Sequence, residues 1–294
     1  MTKILITGSK GYIGTSVAKW LSRHENAYDV DMISVRDGAW RDLKLGEYDA
    51  VLHAAAVVHT RKEKREEFYA INRDLTIELA KKAKLEGVKH YIFLSTMAVY
   101  GIEEGHISLG QIPAPKTPYA TSKYQAEIEL RSIEGDNFAV SIIRPPMIYG
   151  PSCPGNYKKL SSIVRCTNIF PDIPNERSML YIDNLCEFLR IVISEKMGGT
   201  LFPQNSQYVS TSELVSLIAR ASGRSIHLSR PLGRLLSPIV KMPGPLRKAF
   251  GSLTYDWSMS SSPMIDGALS PPTYETIPFP DSVTATEIWK FQNA

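Results

Sequence analysis

The sequence predicts an α/β fold: a doubly wound parallel sheet with a smaller C-terminal substrate-binding lobe. Three observations carry this. Short apolar stretches alternate with segments of helical periodicity up to about residue 150, the pattern of a parallel sheet covered on both faces. A Gly-rich turn with glycines at 8, 11 and 14 joins the first apolar stretch to the first helix. After Pro151 the alternation weakens. The expected division is therefore 1–150, taking in part of 178–205, and 151–294.

The elements follow in order. Residues 3–7 read as a short buried strand, and a helix runs from about Gly11 to Ser22. Tyr28 to Val35 and Tyr48 to Ala54 read as the second and third strands. Glu66 to Glu86 has helical periodicity, with Phe68, Ile71, Leu75, Leu79 and Ala83 on one face. Gly87 ends that helix, at ease in the left-handed conformation. His90 to Ser95 is a fourth strand, a helix contains Tyr119 to Leu130, and Ala139 to Ile143 is a fifth strand. Beyond Pro151, helices are expected at Tyr157 to Cys166, Asp183 to Ser194 and Thr211 to Ser222, with a short strand at Met179 to Ile182. From Arg230 on, Pro and Gly break the chain often, and Ser252 to Pro280 is assigned no element.

Composition narrows the function. Hydrophobic residues at 43% and charged residues at 22% are ordinary globular usage and supply a core without disulfides or metals. A net charge of +4 is too small to argue for nucleic acid. Cys153, Cys166 and Cys186 form no Cys-x-x-Cys pair, so no metal site is expected and a reduced, cytoplasmic protein is. No signal-peptide pattern and no apolar run long enough to span a bilayer is visible.

The turn Thr7-Gly8-Ser9-Lys10-Gly11-Tyr12-Ile13-Gly14 lets backbone approach a pyrophosphate, which the free amides of the helix N-terminus then face. The ribose-reading position at the end of the second strand falls at Ser34 or Arg36. Arg36, joined by Lys10, would suit a 2′-phosphate and NADP; Asp37 in reach of the ribose keeps NAD open. Tyr119 and Lys123 stand at i and i+4 on one helix face. A lysine ammonium and an oxidised nicotinamide near a phenol would each lower its pKa from about 10, so that Tyr119 could shuttle a proton near pH 7. The fourth strand ends in Ser95 and Thr96, where a hydroxyl can hold the reacting oxygen.

Together these stretches resemble the extended short-chain dehydrogenase/reductase group: the NAD-dependent epimerase/dehydratase family of UDP-sugar epimerases, sugar-nucleotide dehydratases and 4-ketoreductases, with UDP-glucose 4-epimerase its type. The resemblance covers the N-terminal 150 residues and adds Asp42-Leu43, His53 to Ala56, Asn72, Ser95 to Gly101 and Arg144 to Pro151. It implies a Rossmann domain. It also implies that Asp42 and Leu43 line an adenine pocket, that Ala54, Ala55 and Ala56 pass beside the cofactor with Asn72, and that Pro145 lies near the nicotinamide. Thr96, Tyr119 and Lys123 take the catalytic places, with Thr96, Met97 and Tyr119 touching the sugar. Where dehydratases of the group carry an Asp-Glu pair after the hydroxyl residue, this chain has Met97 and Ala98, which argues against dehydration. Met147 stands where an Asn often grips the nucleotide phosphate, so the phosphate grip must differ.

In the second lobe Arg177 to Asn184 resembles a segment whose Arg pairs with substrate pyrophosphate, and Gly155-Asn156-Tyr157 resembles an element that closes over the nucleotide. The expected activity is 4-epimerisation of a UDP-hexose or UDP-N-acetylhexosamine in cell-surface polysaccharide synthesis, with a 4-ketoreductase as the alternative. A nicotinamide-binding regulator without catalysis is the reading of another class, and it leaves Thr96, Tyr119 and Lys123 without a purpose. A homodimer is implied by the resemblance alone. Arg224, Arg230, Arg234, Lys241, Arg247 and Lys248, interspersed with Leu, Ile and Pro, mark an exposed, partly helical stretch, one that helps bind pyrophosphate, or one that lies on a membrane surface.

Overall fold

The first apolar run forms strand β1 (Thr2–Thr7) in the computed structural model, which describes residues 1–58, 65–240, 242, 244–260 and 274–292. Helix α1 (Tyr12–Leu21) follows, then β2 (Tyr28–Ile33), β3 (Ala50–His53), β4 (His90–Leu94), β5 (Ala139–Ile143) and β6 (Gly199–Leu201). These six strands make one parallel sheet in the order β6-β5-β4-β3-β1-β2. The order reverses at β1, which lies between β2 and β3. Ligands of such sheets bind outside the carboxyl ends of the strands at that reversal. Thr7 is level with both Ile33 and His53, so the glycine turn, Ser34 and Ala54 leave the sheet side by side.

The period of two sorts side chains between the faces. Leu5, Val51, Tyr91 and Val140 form one row across four strands, with Phe93 and Ile142 beside them. They are buried with Leu79 and Ala83 of α2 (Thr76–Leu85) and Leu130 of α3 (Pro118–Ile133). Each such side chain contributes on the order of 1.5–3 kcal/mol by leaving water. Ile4, Ile6, Leu52 and Ile92 alternate onto the opposite face and are also buried. The helix predicted over Glu66 to Glu86 is interrupted: Arg65–Tyr69 is α-helical, Ala70–Leu75 forms a π-helical turn, and α2 resumes the α-helix. The single-face reading of Phe68, Ile71, Leu75, Leu79 and Ala83 fails there, because a π turn adds a residue and rotates the register. The second strand also ends earlier than expected. Val35 leaves it and turns into the core.

The chain divides into two compact units. The first comprises Met1–Gly101, Ile112–Pro145 and Leu185–Pro203; the second comprises Ile102–Gln111, Pro146–Asn184 and Gln204–Ala294. This departs from a boundary at residue 150 in two respects. The second unit takes over already at Pro146. Ile102–Gln111 also goes with the second unit, because Gly105–Ile107 pairs in parallel with Leu253–Tyr255.

Two further short parallel pairs build the second unit, Met147–Tyr149 with Met179–Tyr181 and Ile169–Pro171 with His227–Ser229. Its helices are α4 (Asn156–Cys166), α5 (Thr211–Ala221), α6 (Arg230–Val240), α7 (Pro245–Phe250) and α8 (Phe279–Gln292). Tyr149 lies at its centre, against the rings of Tyr157 and Tyr181 at 5.4 and 5.5 Å, and accepts a hydrogen bond from Asn205 Nδ2 at 3.1 Å. Asn184 receives the returning chain: its Oδ1 accepts from the amides of Thr276 and Ile277. Helices α6 and α7 fall in the stretch 224–250 expected to be partly helical, whereas α8 was not foreseen. Much of the unassigned stretch, 261–273, lies outside the described residues.

Two histidines lie buried in the first unit. His53 meets Thr7 Oγ1 through Nδ1 at 2.8 Å and Thr76 Oγ1 through Nε2 at 3.0 Å. Burial, with a smaller push from the Lys123 charge, lowers its pKa to about 3. His90, 2.6 Å from Ser141 Oγ, is lowered to about 4, again mainly by burial. Both are neutral when folded and take up protons near pH 6.5 only on unfolding, so the stability they lend is present above that pH and is lost as pH falls below it. Unfolding free energy should therefore drop between pH 6.5 and 5 by roughly 2 kcal/mol per histidine. Chemical denaturation across this window should give a shallower drop for the His53→Gln, His90→Gln double variant. An unchanged slope would show that neither ring titrates on unfolding.

Candidate active site

The glycine turn fits a dinucleotide. Gly8 has φ +88, and a Cβ on it would stand 3.0 Å from the Ala55 amide nitrogen. A Cβ on Gly11 or Gly14 would meet the Gly8 carbonyl at 3.1 Å. The loop after β3 thus lies directly against the turn, which brings Ala54, Ala55 and Ala56 beside it. Gly11 is the N-cap of α1 and provides no side-chain cap, and the first turn of α1, which includes Tyr12 and Ile13, has no acidic residue. Its amides and positive dipole end are open to an anion. The residues present therefore suit the pyrophosphate of a nicotinamide dinucleotide.

Around the turn the expected residues separate. Lys10 and Arg36 are exposed, and Ser34 Oγ accepts from the Arg36 amide at 3.3 Å. Asp37 Oδ1 accepts from the Ala39 amide at 3.3 Å and so starts a helical turn. Asp42 is exposed, whereas Leu43 packs against the core. Asn72 is buried in the π-helical turn, where its side-chain amide exchanges two 2.9 Å hydrogen bonds with the backbone of Val57 and donates to Ser122 Oγ at 3.3 Å. With these groups engaged, Asn72 shapes the loop that follows Ala56.

The carboxyl end of β4 carries the second cluster. Thr96 is the N-cap of the turn Met97–Tyr100, with Oγ1 accepting from the Ala98 amide at 3.1 Å. Thr117 caps α3, Pro118 occupies its first turn, and Tyr119 follows. The Tyr119 hydroxyl shares a hydrogen bond with Thr96. Burial pushes the phenol up to about 12, and the Thr96 bond offsets part of that rise. Lys123 Nζ donates to the Leu94 carbonyl at 2.8 Å and lies 4.5 Å from the centre of the Phe93 ring. Burial lowers Lys123 to about 7, against the pull of the Glu127 charge. The expected lowering of the phenol by the lysine is thus not realised in the chain alone: desolvation dominates both groups. Met97 is buried, and its amide donates to the Pro145 carbonyl at 3.0 Å; Ala98 is the exposed neighbour. Met97 and Pro145 brace the strand ends, and the open position after Thr96 belongs to Ala98.

Sequence reasoning missed the group beneath this cluster. Glu127, fully buried on α3, accepts from Arg144 Nε at 3.0 Å, again from Arg144 Nη2, and from Ser95 Oγ. Arg144 Nη1 donates to Tyr100 Oη at 2.8 Å. The available signal was an acidic residue at i+4 from Lys123, inside a helix face that is otherwise apolar.

In the second unit, Arg177 and Asn156 line one cavity of about 580 Å³. Arg177 is tied by backbone to Val209, and its Nη1 donates to the Gly251 carbonyl at 2.5 Å. Burial lowers its pKa, and no ion pair is formed by Arg177 among the described residues. Asn156 is exposed at the first turn of α4. Met147 and Met179, which are paired across their short strands, line the same cavity.

A model of the NAD dependent epimerase/dehydratase family matches residues 4–201. The chain belongs to that family. It is 31% identical over 271 residues to a UDP-glucose 4-epimerase of Vibrio cholerae, covering 80% of this chain and 79% of that protein. It is 27% identical over 259 residues to the N-acetyl-α-D-glucosaminyl-diphospho-ditrans,octacis-undecaprenol 4-epimerase of Escherichia coli O157:H7, covering 79% of this chain and 77% of that protein. Among solved structures, UDP-glucuronic acid 4-epimerase from Bacillus cereus in complex with UDP-glucuronic acid and NAD superposes with a TM-score of 0.76 at 20% identity, covering the whole of both chains. That likeness shows the Rossmann-type fold with its six-stranded parallel sheet. No helix among the described residues is long and apolar enough to cross a membrane.

Replacing Glu127 by Gln leaves Arg144 buried without its counter-charge, which costs roughly 3–5 kcal/mol for pairs of this kind. Denaturant unfolding of Glu127→Gln should show a loss of that size. A loss below about 1 kcal/mol, the range of an exposed pair, would mean that water reaches the pair.

Proposed function

We propose that the chain is a 4-epimerase of a hexose or N-acetylhexosamine carried on a diphosphate, with UDP-hexoses and UDP-N-acetylhexosamines as its soluble substrates, in cell-surface polysaccharide synthesis. The observation that carries this reading is the hydrogen bond between Tyr119 and Thr96, in a member of this family whose next two residues are Met97 and Ala98 rather than carboxylates. The two curated relatives support the shared chemistry. One acts on a UDP-sugar and the other on a lipid-linked one by name, and both are 4-epimerases.

The first unit supplies the acid–base chemistry. Thr96 holds the oxygen on carbon 4. Tyr119 takes the proton of that hydroxyl as the carbon is oxidised, and returns it when the ketone is reduced on the other face. When bound, oxidised nicotinamide supplies the hydride acceptor and the positive charge that draws the phenol down from about 12. Lys123, held on Leu94 and facing the Glu127 charge, is the partner cation on the same helix. Arg177 in the second unit supplies a forked cation for the diphosphate. Ala98, small and uncharged, leaves room for either face of the sugar. The cofactor is NAD or NADP. Exposed Lys10 and Arg36 favour tolerance of a 2′-phosphate, and exchange of such a cofactor is what the 4-ketoreductase alternative requires.

Tyr119→Phe keeps the ring and removes the proton carrier, so turnover should fall at least about 100-fold, the low end for general acid–base groups. Calorimetric titration should find the nicotinamide affinity retained. Near-normal turnover would remove Tyr119 from the mechanism. The epimerase reading is tested in deuterated water with a UDP-hexose or UDP-N-acetylhexosamine and no added cofactor. Interconversion of 4-epimers without deuterium at carbon 4 is expected. Failure to interconvert any of them, together with stoichiometric NADPH oxidation by a 4-keto sugar nucleotide, would make the chain a reductase.

Titration of the wild type and Arg36→Ala with NAD and NADP tests the phosphate reading. NADP affinity should weaken in the variant. A clear NAD preference that survives the substitution would assign the ribose to Asp37 or another group.

A further inference from the structure

Between Glu213 and Asp256 the chain carries no acidic residue, although seven Lys and Arg fall there. Helix α6 lies within this stretch. It packs flat on the second unit: a Cβ on Gly233 would stand 2.0 Å from the Asp172 carbonyl oxygen, and Val240 is buried. Its outer side is apolar. Leu235 and Ile239 are 72% and 47% exposed, and Met242, just past the helix, is 64% exposed. The spacing of four and three residues makes one stripe. Arg230 and Arg234 are exposed on the same helix. An apolar outer face flanked by arginines is the signature of a helix lying in a bilayer interface, and the excess of basic residues in this stretch, of which Arg230 pairs with Asp172 and Arg247 with Glu104, complements anionic headgroups.

The cavity holding Arg177 shares its wall with this region. Gly244, between α6 and α7, lines it with Ala249 and Phe250 of α7, and Phe170 enters from the strand Ile169–Pro171. Leu160, Ile163 and Leu214 complete an apolar lining, and Ile163 is half exposed. Besides Arg177, the polar side chains on the lining are Glu103, Asn156, Tyr157, Lys159 and Thr211, and Thr211 Oγ1 already donates to the Ala249 carbonyl and accepts from Asn175 Nδ2.

We propose that the second unit takes its substrate from a membrane: the outer face of α6 rests on an anionic bilayer, and the cavity receives the hydrocarbon end of a lipid diphosphate sugar, with Arg177 on the diphosphate. This rests on the diphosphate reading above and names the carrier. The predominantly apolar wall gains from desolvating a hydrocarbon chain.

Two measurements on the purified full chain test it, neither of which uses turnover. Calorimetric titration with farnesyl diphosphate and with UDP should show the former bound at least tenfold more tightly. Flotation with phosphatidylglycerol vesicles should carry the chain upward, whereas phosphatidylcholine vesicles should not. The double variant Leu235→Glu, Ile239→Glu, altered only at exposed positions, should reduce flotation at least fivefold and keep its affinity for farnesyl diphosphate. UDP binding as tight as farnesyl diphosphate, or flotation that is absent or indifferent to the double variant, would overturn the proposal. Turnover of UDP-sugars by a chain that rejects farnesyl diphosphate would uphold the epimerase reading and sink this one. Binding and flotation as expected without any epimerisation would do the reverse.

Discussion

The buried ion pair of Glu127 with Arg144 fixes the end of the sheet on which the acid–base groups stand. Glu127 rises from α3, Arg144 follows β5, and Ser95, at the end of β4, adds a third bond to the same carboxylate. Three elements distant in sequence are thereby held to one register. Such a pair gains little over an apolar core because two charges must leave water. Its value here is positional: a planar fork closes on a carboxylate in few arrangements. Arg144 stays charged because the bonds to Glu127 outweigh the burial that opposes its charge.

Above this pair, desolvation sets the protonation states. Tyr119 and Lys123 are each driven toward the neutral form, the phenol upward and the ammonium downward. His53, under the same influence, is a neutral link between Thr7 at the end of β1 and Thr76 on α2. A site of this kind has little charge of its own to offer, apart from what Glu127 returns to Lys123. It responds strongly to a cation that arrives with a ligand, because charge acts over a longer range where water is excluded.

The second unit follows a different logic. Its strands are three residues long and paired two by two, so side-chain hydrogen bonds do much of the work that a sheet does in the first unit. Asn205 and Asn184 tie together segments far apart in sequence. The Arg177 side chain, in a largely apolar cavity, donates to the Gly251 carbonyl. The net positive charge of the chain comes from the stretch between Glu213 and Asp256, without which the remainder would be net acidic.

The sequence by itself determined the sheet and its dinucleotide turn, because strand, glycine turn and helix are local patterns: Gly8, Gly11 and Gly14 need only their neighbours to state their purpose. It also placed Thr96, Tyr119 and Lys123, since spacing along one helix and one strand end is visible in a linear chain. Tertiary structure decided the rest. The π-helical turn that buries Asn72 is a register shift with no signature in hydrophobic period. The partnership of Glu127 with Arg144 joins residues 17 apart in different elements. The protonation of Tyr119 depends on burial, which in the chain alone raises the phenol. The apolar character of the cavity around Arg177 is assembled from α4, α5, α7 and two separate strand pairs, and only packing brings those side chains to one surface.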